Sequence, residues 1–292
     1  MQVQGVVQEL AFGLFAGSIY GIAAAGLALI FGVLRVLNVA HGELLLLGGY
    51  GSFWLFALLG VDPFVSLLLV VPGLFLLGVA LDALVFRRLA SLEGEERVKS
   101  SLLVSFGLTL VLQHAMQQLF TADERTVSLG YAGSGASAFG VALPATRSLS
   151  LLIALAAMLA LHLFLRHTYA GKAIRAVAED GEGAALVGID RRRVHRLTLG
   201  LGAALAGVAG SLVVVSYGVD PGGGLTWTLK AVVVLTLAGS GSVLGAFPAG
   251  LLLGLVEAVS GMALGATWRE VAGLVVFLLV LLLRPAGLFR RA

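Results

Sequence analysis

The sequence contains no cysteine and few charged residues, and both shortages narrow what the protein can be. Without cysteine, disulfide bonds and thiol chemistry are excluded. Only 12% of the 292 residues are charged while 59% are hydrophobic, whereas a soluble domain of this length carries about 25% charged residues. The mean hydropathy is +1.02, and a protein core cannot absorb that much apolar surface. The composition therefore predicts a helical protein that crosses the lipid bilayer several times.

Three motifs that mark nucleotide-binding or catalytic sites are also missing. The Gly171-Lys172 pair is followed by alanine, so the chain carries no P-loop for nucleotide phosphates. His41 is followed by glycine, and neither the H-E-x-x-H zinc motif nor a G-x-S-x-G serine elbow occurs. The glycine spacing of GSGSVLG at 239–245 does not match a phosphate loop, and this stretch lies in an apolar segment. The sequence predicts a protein that is not an enzyme and has no metal or organic cofactor.

Nine apolar segments approach the roughly 20 residues that a bilayer-spanning helix needs. They lie near residues 9–33, 42–60, 64–86, 101–120, 149–165, 197–217, 228–242, 245–263 and 270–283. The segment at 228–242 is short and is followed by a glycine-rich break, so the alternatives are nine spans or eight spans with a re-entrant piece. We predict an all-α, polytopic helical bundle that forms one transmembrane domain over residues 1–292, with at least one interrupted or re-entrant helix.

The distribution of lysine and arginine predicts the orientation, since basic residues gather on the cytoplasmic side. No basic residue precedes Arg35, so the N-terminus lacks the charged start of a signal peptide. If the N-terminus lies outside, fifteen of the 19 basic residues are internal. These are Arg35, Arg87, Arg88, Arg97, Lys99, Arg166, Lys172, Arg175, Arg191, Arg192, Arg193, Arg196, Arg284, Arg290 and Arg291. The remaining Arg125, Arg147, Lys230 and Arg269 fall outside or near outer ends. The C-terminus is then cytoplasmic, and the net charge of +3 reflects the membrane rather than nucleic acid.

Two loops are long enough to have roles of their own. Residues 121–147, predicted to be external, are rich in Gly, Ser and Ala. They are consistent with a linker or with a surface for an external partner. Residues 166–196, predicted to be cytoplasmic, contain the amphipathic stretch GKAIRAVA with Ile174 and Val177 on one face.

Capping residues predict a short second helix within this cytoplasmic loop. Asp180 can cap a helix through EGAALV, Gly188 stands where that helix would end, and Asp190 can open the next one. A short displayed helix suits insertion into a groove of a partner protein. The alternative is an amphipathic stretch held at the lipid surface by arginines.

Polar residues at membrane depth are the candidate functional residues, because they are costly there and usually face a cavity or another helix. The stretch RVLNVAHGE places Asn38, His41 and Glu43 between two apolar segments. Its glycine and polar groups predict a helix interruption. These three residues either line a substrate pathway or pin the interruption by hydrogen bonds.

Three further polar sites are less specific. The polar cluster on the fourth segment either marks a helix end at the membrane interface or lines a substrate pathway. It comprises Gln113, His114, Gln117 and Gln118. Lys230 lies three residues after Trp227, and we expect its side chain to extend along the apolar surface so that the ammonium reaches an outer interface. Glu257 has no partner nearby in sequence, so a buried polar contact and a pathway role are both open.

Glycines recur at a spacing that lets helices approach closely in lipid. The G-x-x-x-G pattern occurs at Gly13, Gly17 and Gly21, at Gly250 and Gly254, and at Gly261 and Gly265. Packing within one subunit is the simpler interpretation, and a seam between two subunits is the alternative.

Several stretches taken in order resemble the permeases of branched-chain amino acid ABC importers of the LivH type. They are GLALIFGVLRVLNVAHGELLLLGGY, LLVSFGLTLVLQ, GKAIRAVAEDGEGAALVGIDRRRVHRLTLGLGAALAGVAGSL and LKAVVVLTLAGSGSVLGAFPAGLLLGLVEAV. The resemblance covers most of the chain. AGSGSVLGAF departs from the family's usual Gly-Gly-x-Gly-Ser string, and residues 121–147 offer nothing to align.

The resemblance implies a transport function and several partners. The loop at 166–196 would couple to an ATP-hydrolysing subunit. The residues expected to do so are Ala178, Glu179, Asp180, Gly188, Ile189 and Asp190. ATP would be used by that separate chain. The family also implies a second homologous permease subunit, an external substrate-binding protein and a bacterial or archaeal inner membrane. Branched-chain or related amino acids are the expected substrates; urea, short amides and a stand-alone carrier or channel are the alternatives.

Overall fold

The computed structural model describes residues 3–92, 94–132, 134–138, 141–239 and 241–289, so the predicted internal Arg290 and Arg291 lie outside the described residues. Within these residues the chain forms eleven α-helices, one short 3₁₀ helix at Phe86–Ser91 and two short strands. The helices are α1 Val3–Leu34, α2 His41–Leu59, α3 Pro63–Leu84, α4 Gly94–Phe120, α5 Ala145–His167, α6 Tyr169–Glu179, α7 Gly181–Leu186, α8 Arg191–Ser216, α9 Gly224–Ala238, α10 Val243–Leu264 and α11 Trp268–Leu283. The strands are β1 Gly135–Ala138 and β2 Val141–Pro144.

Every one of the nine predicted apolar segments coincides with a helix, which confirms the polytopic all-α bundle. Seven helices of the described chain are long and apolar enough to cross a membrane: α1, α2, α3, α4, α5, α8 and α10. Helices α9 and α11 have 15 and 16 residues, fewer than a full span needs. The region around 228–263 thus pairs a short helix with a full-length one.

Helices α1 and α8 form the centre of the bundle. Helix α1 and the part of α8 after Arg196 are apolar on all sides, as helices are that lie in a protein core or in lipid. In their most apolar stretches 83% of α1 and 89% of α8 is buried. Their many alanines and glycines leave room for neighbours at short range, and α2, α3, α9 and α10 pack around them.

The glycines of α1 and α10 lie where these two helices cross. A Cβ atom added at Gly13 would come within 2.6 Å of the Gly254 carbonyl oxygen, and one at Gly17 within 2.6 Å of the Gly250 oxygen. The close approach is therefore made within one chain. Gly261 and Gly265 do not lie at this crossing: a Cβ atom at Gly261 would meet the Arg269 side chain. Gly265 faces open space with φ of +99°, and it ends α10.

One end of the bundle gathers most of the basic residues. Gly78 of α3 contacts α8 at Leu199 to Ala203, within its first half, and Gly32 near the end of α1 lies close to Gly241 before α10. The segment after α11 returns to the same place, since the Leu288 amide donates to the Leu237 carbonyl oxygen. We call this the basic end; it carries residues 85–92 and 166–196.

Residues 121–147 lie at the opposite end and are more than a linker. Strands β1 and β2 pair antiparallel, with Gly135 opposite Pro144. The loop is joined to the bundle by the Gln8 side chain, which exchanges two hydrogen bonds of 2.7 Å with Ala142, and by Tyr131, whose hydroxyl donates to Asp62 at 2.6 Å. The linker interpretation is therefore wrong for the described part of this loop.

Candidate functional site

The chain between α1 and α2 turns back into the bundle. Helix α1 ends where Arg35 adopts a left-handed backbone with φ of +55°. Helix α2 then begins at His41, whose Nε2 lies 2.9 Å from the carbonyl oxygen of Ala23. Ala23 precedes the end of α1 by three turns, about 16 Å at the rise of an α-helix. Helix α2 therefore starts inside the membrane region, and residues 35–40 form the predicted interruption. We call these six residues the break.

Serine side chains of α4 satisfy the backbone of the break. The amide of Leu37 donates to Ser101 Oγ at 3.2 Å, and the amide of Val39 donates to Ser105 Oγ at 3.0 Å. Ser105 Oγ in turn donates to the carbonyl oxygen of Leu37 at 3.1 Å. Irregular backbone at this depth cannot rely on water, so such partners are required.

Thr228 of α9 completes this set of hydrogen bonds. Its hydroxyl donates to the Val39 carbonyl oxygen at 2.8 Å and accepts from the Gly42 amide at 2.8 Å. A Cβ atom at Gly42 would overlap the carbonyl oxygen of Gly224, the first residue of α9. The N-terminal ends of α2 and α9 thus meet inside the bundle, and only glycine permits the contact.

The three polar residues of this region do not form one cluster. The Asn38 side-chain oxygen accepts from the amide of Ala40 at 3.1 Å, and His41 points to α1. Glu43 lies against Gly224, where a helix N-terminus favours a carboxylate. All three are at most 1% exposed. Asn38 Nδ2, His41 Nδ1 and Glu43 Oε2 have no hydrogen-bond partner among the described residues.

Glu257 belongs to a separate group of charges on α1, α9 and α10. Its Oε1 lies 2.8 Å from Lys230 Nζ, and its Oε2 accepts from the Tyr20 hydroxyl at 2.9 Å. The ammonium of Lys230 also lies 4.8 Å from the centroid of the Tyr20 ring. The side chains of Lys230 and Glu257 are 19% and 11% exposed. Snorkelling of Lys230 to an outer interface is therefore wrong; we call these three residues the charge cluster.

Helix α9 connects the break to the charge cluster. Thr228 faces the break and Lys230 faces Glu257, two residues further along. On the residue before Thr228, the Trp227 ring lies 6.0 Å from the ring of Tyr20 in the charge cluster and 6.2 Å from that of Tyr217. A displacement of α9 along its axis would act on both regions together.

The remaining polar cluster, on α4, makes no comparable site. His114 is exposed, and its Nδ1 pairs with the Leu110 carbonyl oxygen of its own helix at 2.8 Å. No group of three His, Cys, Asp or Glu residues in the described chain could hold a metal ion.

The loop at the basic end is built by its capping residues. Asp180 Oδ1 accepts from the amides of Glu182 and Gly183 at 3.0 Å and so starts α7. Gly188 follows α7 with φ of +88°, and Asp190 accepts from the first amides of α8. Helix α6 buries Ile174 and Val177 on its inner face and leaves its basic residues outside.

Helix α7 presents apolar side chains to the outside of this loop. Leu186 is 90% exposed and Val187 78% exposed. Among the predicted coupling residues, Glu179, Asp180, Gly188 and Asp190 are exposed and Ala178 and Ile189 half-buried. Large apolar side chains this exposed mark a surface that a partner or a lipid covers.

Sequence reasoning missed Ser101, Ser105, Thr228 and Tyr20. Ser101, Ser105 and Thr109 recur every four residues, so they lie on one face of α4, and all three are buried. This stripe was a readable signal. Thr228 and Tyr20 stand in apolar surroundings with nothing nearby in the sequence to single them out.

Known proteins similar to this chain are transport permeases. Residues 10–283 match the family model described as branched-chain amino acid transport system, permease component. The chain is 33% identical to the high-affinity branched-chain amino acid transport system permease protein LivH of Salmonella typhimurium, over 98% of this chain and 96% of that protein. It is 32% identical to BraD, the corresponding permease protein of Pseudomonas aeruginosa, over 99% and 97%. A probable LivH of Methanocaldococcus jannaschii is 24% identical over 91% and 87%. No solved structure matches the chain.

Proposed function

This chain belongs to the permease-component family of branched-chain amino acid transport systems, and on that premise we propose that it is the membrane subunit of an ATP-driven importer. It moves branched-chain or related amino acids by alternating access, in which ATP-driven changes in a partner shift the populations of inward-open and outward-open states. The partners are cytoplasmic ATP-binding subunits, a second homologous permease subunit and an external substrate-binding protein.

The main observation in support of the ATP-driven mechanism is that the C-terminal end of α7 exposes apolar side chains. Leu186 and Val187 project from a capped, ordered helix, and a groove on a partner would bury both. A stand-alone carrier needs no such element. The basic residues around α7 support a cytoplasmic position for this end, with the N-terminus outside.

Replacing these two side chains tests the docking. We expect the Leu186→Ser/Val187→Ser variant to fold and to insert into the membrane but no longer to co-purify with the ATP-binding subunit. The reason is that a few anchor residues in a groove contribute most of the binding energy of such an interface. Substrate uptake should fall in parallel. The matched control is Leu58→Ser/Leu59→Ser, which alters two exposed leucines at the opposite end of the bundle. Retention of the ATPase by the α7 variant would refute the docking role.

The break and the charge cluster are proposed to lie along the substrate pathway. Asn38, His41 and Glu43 are buried polar groups at a point where two helices begin. Glu257 adds a charge that pairs with Lys230, two residues after Thr228 on α9. Helix N-termini inside a membrane favour the carboxylate of a substrate. Pinning of the break is the other role open to His41, since its ring bonds α1.

Replacing His41 separates the two roles. If His41 lines the pathway, His41→Ala slows uptake while the complex assembles and hydrolyses ATP at the basal rate. If His41 pins the break, the same variant loses the assembled complex. Native gel electrophoresis of the solubilised complex reports whether the complex assembles, and substrate uptake into cells reports whether transport is slowed.

Urea and short amides are the alternative substrates, since the external binding protein sets much of the selectivity. Measuring which ligands that protein binds distinguishes them from leucine-type amino acids. A gradient-driven carrier or channel would instead transport substrate as a purified chain without any ATPase.

A further inference from the structure

A cavity of about 170 Å³ lies between α9, α10 and α11, beside the charge cluster. Its lining residues are Thr226, Leu229, Lys230, Val233, Leu253, Glu257, Glu270, Gly273 and Leu274. Within the lining Glu257 and its apolar neighbours are buried and Lys230 is half-buried, while Glu270 and the leucines Leu229 and Leu274 are exposed at the rim. The cavity therefore has an apolar wall, an ion pair inside and an open side that carries a second carboxylate.

The charges in the cavity are unequal in number. One ammonium, that of Lys230, lies 2.8 Å from Glu257 Oε1 and 3.9 Å from Glu270 Oε1. Two carboxylates around one ammonium leave an excess negative charge, which favours a second ammonium from a ligand. A ligand that brings a carboxylate as well can contact Lys230 without leaving any charge unpaired.

Such a site is costly to keep for stability alone. A buried ion pair is often no more stable than a well-packed apolar pair of similar volume, and ionisable groups at membrane depth usually serve a pathway. An engineered apolar cavity of about 150 Å³ holds a benzene ring. The branched side chain of leucine is smaller than benzene and would fit on the apolar wall.

We propose that this cavity binds an apolar α-amino acid, with the ligand carboxylate on Lys230, the ligand ammonium between Glu257 and Glu270, and the side chain against the leucines. The inference rests on the proposed function and adds to it a location for the substrate. Both charged groups of the ligand are required. When the ligand separates Lys230 from Glu257, its carboxylate replaces Glu257 as the partner of Lys230, and its ammonium replaces Lys230 as the partner of Glu257.

The test uses the purified full-length chain in detergent and follows its thermal unfolding during titration with leucine. Ligand that binds the folded chain raises the unfolding midpoint in a saturable manner. We expect leucine to do so, and 4-methylpentanoate and isopentylamine, each lacking one charged group, to bind at least about tenfold more weakly; tenfold corresponds to about 1.4 kcal/mol. A purely structural ion pair gives no response to leucine, and that result would overturn the proposal.

Filling the cavity supplies the specific control. A Cβ atom at Gly273 faces Leu253 at 3.1 Å and Glu257 Oε1 at 3.6 Å, so Gly273→Leu occupies the cavity and should abolish the leucine response. Gly107→Leu on α4 is the matched variant, since nothing lies within 4 Å of a Cβ there, and it should respond as the unaltered chain does. The Lys230→Met/Glu257→Leu pair removes both charges together and should also abolish the response. A normal response in Gly273→Leu would overturn the site.

Uptake by the assembled importer separates this inference from the proposed function. Leucine uptake that is equal in the unaltered chain and in Gly273→Leu overturns the cavity as a substrate site and leaves the importer function intact. A leucine response that Gly273→Leu abolishes, without uptake of any branched-chain amino acid, supports the site and refutes the function. Stabilisation by phosphatidylethanolamine in place of leucine would assign the cavity to a lipid and overturn the proposal.

Discussion

The break and the charge cluster both contact α9, and each satisfies polar groups inside the bundle by a different means. At the break, neutral hydroxyl groups of Ser101, Ser105 and Thr228 satisfy backbone groups that no helix can satisfy. At the charge cluster, full charges of Lys230 and Glu257 satisfy each other. A substitution that removes one neutral hydrogen bond costs the free energy of that bond and its unpaired group. A substitution that removes one charge of a buried pair costs more, because the other charge is left without its main partner. The break should therefore tolerate single substitutions that the charge cluster does not.

The largest expected effect comes from removing one charge. Glu257→Leu leaves the Lys230 ammonium, whose side chain is only 19% exposed, with the exposed Glu270 carboxylate at 3.9 Å as its remaining ion-pair partner, and should lower the free energy of unfolding by about 3 kcal/mol. Chemical denaturation in detergent measures this loss. The double variant Lys230→Met/Glu257→Leu should recover most of it. Glu270→Gln, whose side chain is 71% exposed, should change stability little. Equal losses in the single and double variants would show that the two charges do not depend on each other.

A smaller effect is expected at the hydroxyl that joins α9 to the break. Thr228→Val keeps the shape of the side chain but leaves the Gly42 amide and the Val39 carbonyl without their partner, at a cost of about 2 kcal/mol. Thr228→Ser retains the hydroxyl and should cost less than half as much. The same denaturation measurement compares them. If Thr228→Val destabilises the chain as much as Glu257→Leu does, the contrast between the two regions is wrong.

The smallest effect is expected on α4. Ser105→Ala removes two hydrogen bonds to the break that are only partly buried, so the expected loss is about 1 kcal/mol. Ser100→Ala, five residues earlier on the same helix, is the control and should be nearly neutral. A loss above that of Thr228→Val would mean that α4, rather than α9, holds the break in place.

Composition and spacing predicted the elements of this fold better than their contacts. The nine apolar segments follow from length and hydropathy, and the starts of α7 and α8 follow from Asp180 and Asp190, because capping is a local interaction. The Lys230–Glu257 pair joins residues 27 positions apart on two different helices. No local rule relates such residues, so Lys230 was assigned to an interface and Glu257 was left without a partner.

Only part of the candidate site was predicted from the sequence, again because no local rule relates residues that are distant in sequence. The break is visible in the sequence because Asn38, His41 and Glu43 place polar groups between two apolar runs. Its partners are not, since Thr228 follows 190 positions after Asn38. The small side chains of residues 121–147 were consistent with a linker or with a surface for an external partner, and the structure shows β1 paired with β2 and Tyr131 bonded to the bundle. Small residues permit a tight hairpin as readily as a flexible chain.

The shallow attachment of α4 has a consequence for the membrane around the protein. The buried residues of this helix are Ser101, Ser105, Thr109 and Met116, and the first two bond the break directly. A helix that is mostly surrounded by lipid tilts to match bilayer thickness. Acyl chains of a different length would thus pull on the re-entering backbone through two serines, and lipid composition would set the resting geometry of the permease before any solute arrives.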